Sequence, residues 1–294
     1  EVSRLLRMES SSSSSEEKRV LREIVRYISQ TAVADLTVIE ESKKSSEEPL
    51  CPLMNGKRRR REQKTSSMSN NITSKVLRKY FPKVVAGVKS NTSLTHLDLT
   101  RNGIDSQMAI VLGTMLERCE TLTNLNLSHN RIGEAGCISI AEALGKNAHT
   151  RIRHMDLSYN TVYNDGGQAL GRMLRANASL RILNLQQCGI YVEGSRAIME
   201  AVARNASLQK LHFANNCTWV DGADTTAQML AVNTTLQYLD ISGNYLYAEG
   251  AKIIAKGLIV NSTLDGLLIS SNEIEDEGAK ALAGGLRLKK RPKL

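Results

Sequence analysis

Apolar residues recur along the chain with a period of 28 residues, interrupted once by an interval of 30. The repeating anchors are Leu94, Leu122, Ile152, Leu180, Leu208, Leu236 and Leu264. Two more apolar residues stand three and five positions after each anchor, with one residue between them, which predicts a short strand with one buried face. Eight positions after the anchor, six units have Asn and the fourth has Cys188. A compact polar group at this point can satisfy backbone groups where the chain leaves the strand.

The second half of each unit has helical spacing. Apolar residues form i, i+4 pairs, for example Leu112 with Leu116 and Ile254 with Leu258. Small residues such as Ala141 and Ala255 stand between the members of the pairs and predict close packing between helix and strand. Each unit is therefore predicted to be a strand, a loop, a helix and a loop. No such unit can bury its apolar face alone, so stacking of neighbouring units must provide the core.

The pattern LxxLxLxxN/CxL over residues 91–286 resembles that of the leucine-rich repeat proteins, in their ribonuclease-inhibitor-like class with long repeats. The resemblance implies an α/β solenoid, an arc or horseshoe with parallel strands on the concave face and helices on the convex face. Two departures predict local irregularity. Thr218 replaces an apolar residue, and the third anchor, Ile152, comes two residues late.

The predicted domain organisation has four parts. Residues 1–66 form a partly disordered N-terminal extension with one amphipathic helix near 16–32, and residues 67–91 form a helix that caps the solenoid. Residues 92–286 form seven repeats, and residues 287–294 form a basic tail. A capping helix is expected because the end of a solenoid exposes apolar surface.

The formal charge of +9 is concentrated outside the repeats. Residues 1–90 carry 19 basic and 11 acidic side chains, whereas residues 91–286 carry 15 basic and 19 acidic ones. This distribution argues against a nucleic-acid partner for the repeats. The basic run in the extension is open to several interpretations: a nuclear localisation signal, a nucleic-acid contact, an anchor on an acidic polymer surface, or a solvated linker. It consists of Lys57, Arg58, Arg59, Arg60 and Arg61.

Membrane insertion and secretion are not expected. The chain has no apolar run long enough to cross a bilayer and no signal-peptide pattern at its start. Its five cysteines lack CxxC spacing, which favours a reducing compartment over a disulfide framework or a zinc site. The sequence therefore predicts a soluble intracellular protein.

Enzymatic motifs are absent from the sequence: it has no GxxxxGK[ST], HExxH or GxSxG pattern. His96 with Asp98 and His154 with Asp156 are candidate acid and base pairs on the free face of the strands. However, the two histidines are two strands apart, about 10 Å at the usual strand spacing, so they cannot share a metal ion. We expect no enzymatic activity, no cofactor and no metal site.

The candidate binding site is a column of aromatic residues that the repeat pattern does not require. Four consecutive units place an aromatic residue eleven positions after the anchor: Tyr163, Tyr191, Trp219 and Tyr247. Stacking of the units should align these rings beyond the C-terminal ends of the strands, where Tyr159, Tyr238 and Tyr245 extend the patch. Such a row either anchors a protein partner or packs down as a second apolar layer over the loops. We predict partner binding along this edge and the concave face.

The function predicted from these features is that of a non-enzymatic protein-interaction scaffold. The layout of an extension followed by repeats is similar to that of structural components of cytoskeletal and axonemal assemblies, which implies a larger assembly and a cytoplasmic location, cytoskeletal or ciliary. The basic run at 57–61 leaves a nuclear location open. The alternative is a GTPase-activating or other regulatory protein for a small GTPase, because such regulators share this repeat type.

Overall fold

The computed structural model describes residue 78, residues 81–89 and residues 91–288. The predicted N-terminal extension and residues 289–294 of the basic tail lie outside this part of the chain. In the described part, seven strands form one parallel sheet in chain order. They are β1 (His96–Asp98), β2 (Asn124–Asn126), β3 (His154–Asp156), β4 (Ile182–Asn184), β5 (Lys210–His212), β6 (Tyr238–Asp240) and β7 (Gly266–Leu268).

One α-helix follows each strand and packs beside the helix of the next repeat. The helices are α1 (Ser106–Leu116), α2 (Gly133–Lys146), α3 (Tyr163–Ala176), α4 (Val192–Arg204), α5 (Asp221–Val232), α6 (Tyr247–Val260) and α7 (Glu275–Leu288). The central residue of every strand points into a core shared with the i, i+4 pairs of the helices, for example Leu125 with Ile140 and Leu144. The predicted α/β solenoid is confirmed.

Asparagine side chains tie each repeat to the one before it. The amide nitrogen of Asn130 donates to the carbonyl oxygens of Leu99 and Leu127, both at 2.9 Å, and its Oδ1 accepts the backbone N–H groups of Asn102 and Ile104, both at 3.0 Å. The asparagines eight positions after the third, fifth, sixth and seventh anchors donate to the two equivalent carbonyl oxygens. Cys188 replaces these hydrogen bonds with a longer contact from its Sγ to the carbonyl oxygen of Leu157, at 3.2 Å.

A second set of asparagines closes the C-terminal ends of the helices. Asn205 follows α4, donates to the carbonyl oxygens of Leu174 and Asn177, and accepts the N–H of Leu208. Asn177, Asn233 and Asn261 are buried at equivalent positions. These asparagines begin Asn-x-Ser/Thr triplets, and their burial makes the triplets structural and not accessible glycosylation sites.

The two departures from the repeat are local. The two extra residues of the third unit lie in the loop between α2 and β3, and β3 pairs in register with β2, Asn124 opposite His154. Thr218 is buried, donates its hydroxyl to Oδ1 of Asn244 at 2.6 Å, and lies 3.1 Å from the Ser195 hydroxyl. The predicted irregularity at Thr218 is thus an internal polar network.

A helical segment covers the N-terminal end of the core. Residues 81–89 are helical, and Phe81, Val85 and Val88 are buried among the core residues of the first repeat. Nε of Arg78 donates to Oδ2 of Asp105 at 2.6 Å and links this segment to the start of α1. The predicted start of the capping helix at residue 67 lies outside the described residues.

Candidate functional site

The loop edge is the set of residues that connect the C-terminal end of each strand to the following helix. Every repeat has a left-handed residue seven positions after its anchor, with φ between 52° and 64°. These residues are Arg101, His129, Tyr159, Gln187, Asn215, Gly243 and Ser271. In the first six repeats the N–H of this residue donates to a carbonyl oxygen of the next repeat, as from Tyr159 to Gln186 at 2.9 Å. This left-handed residue, the corner of its repeat, therefore turns the chain out of the strand and joins neighbouring repeats.

The predicted aromatic column lies on this edge, and three of its four members have strained backbones. Tyr163, Trp219 and Tyr247 have φ values of 51°, 56° and 53°. Bulky residues rarely adopt this left-handed conformation, which glycine adopts without a steric cost. The second repeat has Gly133 at the same position with φ 67°. Glu275 of the seventh repeat is also left-handed at this position, with φ 51°. The torsion therefore belongs to the repeat, and the fold accommodates glycine or an acidic residue in place of a ring.

The rings of the column are partly packed and partly open to solvent. The Tyr163 ring lies over Gly189, where an added Cβ would be 3.0 Å from Cε1 of the ring. Trp219 stacks on Tyr245, with ring centroids 5.3 Å apart and an interplanar angle of 24°. None of the four column rings is buried, and Tyr247 is 37% exposed. The structure thus combines the two arrangements considered from sequence, because one side of the patch packs on its neighbours and the other faces solvent.

Tyr191 differs from the other members of the column because its backbone is extended, with φ −94°. It precedes α4, and its N–H donates to Oδ1 of Asn164 at 3.2 Å. The same oxygen accepts the N–H of Gly194, while the Asn164 amide donates to Glu193 at 2.6 Å. Asn164 thus holds the start of the next helix from the previous repeat. The sequence analysis missed this role because Asn164 lies outside the repeated asparagine positions.

Tyr159 and Tyr238 extend the patch in different directions. Tyr159 is 37% exposed at the corner of its repeat and stacks on His129, with centroids 4.1 Å apart and planes 9° apart. Tyr238 lies on the concave face, tilted against His212 at a centroid distance of 5.0 Å. Burial, with a smaller contribution from Asp240, raises the pKa of Tyr238. The predicted aromatic set therefore spans the loop edge and the concave face, and histidines join it at both places.

Except for β5, each of the first six strands ends in an Asp or Asn whose side chain lies on the concave face. Most of these side chains accept the backbone N–H two residues further on, where the chain leaves the strand. Asp156 Oδ1 accepts the N–H of Ser158 at 2.8 Å and its hydroxyl at 2.6 Å. Asp98, Asn126 and Asp240 accept backbone N–H groups in the same way. In the sequence these four residues begin the triplets DLT, NLS, DLS and DIS. The repetition is visible there, but the hydrogen bonds at the ends of the strands were not predicted from it.

The candidate acid and base pairs do not form hydrogen bonds with each other. Nδ1 of His96 lies 2.8 Å from the Thr95 hydroxyl, and Nδ1 of His154 lies 2.9 Å from the Asn124 amide. In the residues that the structure describes, no group of three or more His, Cys, Asp or Glu side chains has the arrangement of a metal site. The same residues include no helix with the length and apolar character of a membrane span.

Three histidines in this region predict a stability that depends on pH. Burial is the main cause that lowers the pKa of His212, His154 and His129, and it outweighs the opposing carboxylates near His212 and His129. The Lys210 ammonium group also lowers the pKa of His212 and His154. A lowered folded pKa means that the unfolded chain binds more protons just below the ordinary histidine pKa of about 6.5. The free energy of unfolding is therefore highest above this pH and falls as the pH drops below it.

Thermal unfolding at a series of pH values between about 8 and 5 tests this expectation. Replacement of His212, His154 and His129 by glutamine should flatten the decrease in melting temperature below pH 6.5, because the protonation difference is removed. A variant with the same pH dependence as the native chain would assign the effect to other groups.

The sequence model for "Leucine Rich repeat" matches residues 90–107, 118–141, 232–255 and 260–283. These segments coincide with strands and helices of the first, second, sixth and seventh units. The chain is a leucine-rich repeat protein. The third to fifth units, which lie between the matched segments, repeat the same strand and helix arrangement.

Two curated relatives of this leucine-rich repeat protein are similar over about a third of its length. The RAN GTPase-activating protein 2 of Arabidopsis thaliana is 28% identical over 102 residues, 34% of this chain and 18% of the relative. The human NACHT, LRR and PYD domains-containing protein 13 is 33% identical over 99 residues, 33% of this chain and 9% of the relative. The similarity therefore spans less than a fifth of the length of either relative.

Among solved structures, the leiomodin-1 actin-binding site 2 is 19% identical, with a TM-score of 0.40. It covers 59% of this chain, and the alignment covers 86% of that structure.

Proposed function

We propose that this leucine-rich repeat protein is a non-enzymatic scaffold that binds a protein partner along its loop edge and concave face. The observation that carries the proposal is the partly exposed row of aromatic rings, in which Trp219 stacks on Tyr245 and Tyr247 is 37% exposed. Partly exposed aromatic residues that cluster are typical of the residues that anchor a protein partner. Glycine at the same position of the second repeat supports the view that the rings are kept for a purpose other than folding.

The chemistry of the patch fits a protein surface as its ligand. Tyr and Trp side chains are enriched among residues that dominate binding energy because they bury a large area with little loss of conformational freedom. The adjoining concave face presents His154, Asp156, Lys210 and Tyr238, which supply donors, acceptors and both signs of charge. Extended concave surfaces are the binding surfaces of solenoid proteins in general.

Affinity capture with the full chain as bait, followed by mass spectrometry, tests the proposal. The expected result is enrichment of one protein or a small set of proteins, whose binding to the purified chain can then be measured directly. Absence of any protein partner that binds the purified chain would contradict the proposal. We propose a cytoplasmic scaffold in a cytoskeletal or axonemal assembly, and the identity of the captured proteins tests this finer assignment.

The basic run Lys57–Arg61 lies outside the described residues, and its proposed role is to anchor the extension on an acidic surface. Charge neutralisation by glutamine at all five positions should then reduce assembly association. The measurement is co-sedimentation of the full chain with the captured assembly at increasing salt. If the amount of native chain that co-sediments with the assembly did not fall with increasing salt, an electrostatic anchor would be contradicted.

A regulator of a small GTPase is the second candidate, favoured by the similarity to a RAN GTPase-activating protein over 102 residues. Regulators of this class often supply an arginine that stabilises the transition state of phosphoryl transfer. The exposed arginines on the loop edge of the first two repeats are Arg101 and Arg131. Acceleration of GTP hydrolysis across a panel of small GTPases, lost on replacement of either arginine by alanine, would support this candidate over the scaffold.

A further inference from the structure

The two ends of the described solenoid differ in how well their apolar core is covered. At the N-terminal end, residues 81–89 pack on the first repeat, and Leu97 and Leu112 are buried. At the C-terminal end, Leu286 is 55% exposed although it occupies the core position that is buried in all six preceding repeats. Those six buried residues are Leu116, Leu144, Leu174, Val202, Leu230 and Leu258. Among the residues that the structure describes, nothing covers this core surface of the seventh repeat.

The edge of the sheet is open at the same end. In every preceding repeat the N–H groups five and seven positions after the anchor donate to the next repeat, as from Ile241 to Leu268 and from Gly243 to Ser270, both at 2.9 Å. The equivalent N–H groups of Ile269 and Ser271 have no acceptor among the residues that the structure describes. An unpaired edge of this kind is a template for another strand.

Helix α7 completes a self-complementary surface. Small residues that contact the next helix in the inner repeats have exposed counterparts in α7, Ala279 and Ala283. At 100° per residue, Asp276 in the first turn and Arg287 in the last turn lie on the same stripe as these alanines. When two copies of α7 pack antiparallel, the acidic start of one helix meets the basic end of the other.

We infer that the C-terminal end of the solenoid binds the same end of a second copy about a two-fold axis. An axis that runs from the concave to the convex face places β7 beside its symmetry mate in antiparallel orientation, and it does the same for α7. The strand and helix layers then continue across the interface, and the exposed core surface at Leu286 becomes buried on both copies. The surface is isologous, so the dimer is closed and does not extend into a filament. This inference does not depend on the proposed function of the loop edge.

A charge exchange tests the geometry. Asp276→Arg places two basic residues at each contact of a self-pair, and Arg287→Asp places two acidic ones there. Each variant alone should dimerise at least about tenfold more weakly than the native chain, because attraction becomes repulsion at two symmetric contacts. A mixture of the two variants restores both opposite-charge contacts, as does the double variant Asp276→Arg/Arg287→Asp. Arg204→Asp, an exposed change in the last turn of α4, is the matched control and should dimerise like the native chain.

Sedimentation of the full chain over a range of concentrations measures the result, with the native mass expected to reach twice 32.3 kDa. Hydrogen exchange at the amides of Ile269 and Ser271 should also be slower in the native dimer than in Arg287→Asp at the same concentration. A monomeric native chain overturns the inference, whether residues 289–294 or another protein then covers this end. Equal dimerisation of the single variants, or failure of the mixture to recover, also overturns it.

Discussion

Replacement of Trp219 and Tyr247 by glycine, together with Tyr191→Ala, is expected to weaken partner binding by about 100-fold or more. A central aromatic residue in a protein interface typically contributes about 2 kcal/mol. A 100-fold loss of affinity corresponds to about 2.7 kcal/mol, which the loss of three rings exceeds even when their effects are not additive. Binding of the captured partner to the purified variants, measured by calorimetry, gives the result.

The same variant is expected to unfold within about 1 kcal/mol of the native free energy of unfolding. Loss of the stack between Trp219 and Tyr245 costs about 1 kcal/mol. Glycine offsets this loss, because it adopts the left-handed backbone of positions 219 and 247 without the strain of a bulky residue. Alanine would retain that strain, which is why glycine separates binding from stability more cleanly at these two positions.

The matched control for this variant removes exposed apolar side chains elsewhere. Val232 and Val260 lie near the ends of helices α5 and α6, and both are exposed. Their replacement by alanine should leave binding unchanged. A large loss of stability in the aromatic variant with binding intact would assign the rings to packing over the loops and reject the proposed interface.

Asn244→Ala is expected to lower the free energy of unfolding by about 3 kcal/mol or more. The Asn244 side chain is fully buried, and its amide donates to the carbonyl oxygens of Phe213, Ile241 and Ser242 at 2.9 to 3.1 Å. Its Oδ1 accepts the Thr218 hydroxyl. Alanine leaves these groups buried without partners, and each unsatisfied group costs about 1 to 3 kcal/mol.

Chemical denaturation at neutral pH measures this loss, and Asn124→Ala is its control. The Asn124 side chain lies on the concave face, where it accepts the Thr123 hydroxyl and lies within hydrogen-bond distance of His154. Its loss should change the free energy of unfolding by less than about 1 kcal/mol. Equal effects at Asn124 and Asn244 would show that the buried position has no special structural role.

The repeat period predicted the fold because its physical requirements are local and recur in each unit. The strand anchors, the asparagines and the helical i, i+4 pairs each have one structural role, and the structure confirms them from Leu94 to Leu282. The asparagine at a fixed step predicted the hydrogen bonds to backbone groups that Asn130 and Asn272 make.

The candidate site was less predictable because its geometry depends on neighbouring repeats. Sequence alignment places Trp219 and Tyr247 in one column, yet the stacking partner of Trp219 is Tyr245, two positions earlier in the next repeat. Trp219 and Tyr245 are both left-handed, with φ 56° and 58°, whereas Tyr191 of the same column is extended. Spacing along the chain does not specify these torsion angles.

The longer loop between α2 and β3 shows where the chain tolerates extra length. Its two additional residues leave the pairing of β2 with β3 unchanged, and the loop joins the C-terminal end of a helix to the start of a strand. Loops that lead from a helix to the next strand lie on the side of the solenoid opposite the aromatic patch, which follows the C-terminal ends of the strands. A fluorescent label or affinity tag inserted near His149 would therefore report on the protein without obstructing the proposed binding edge.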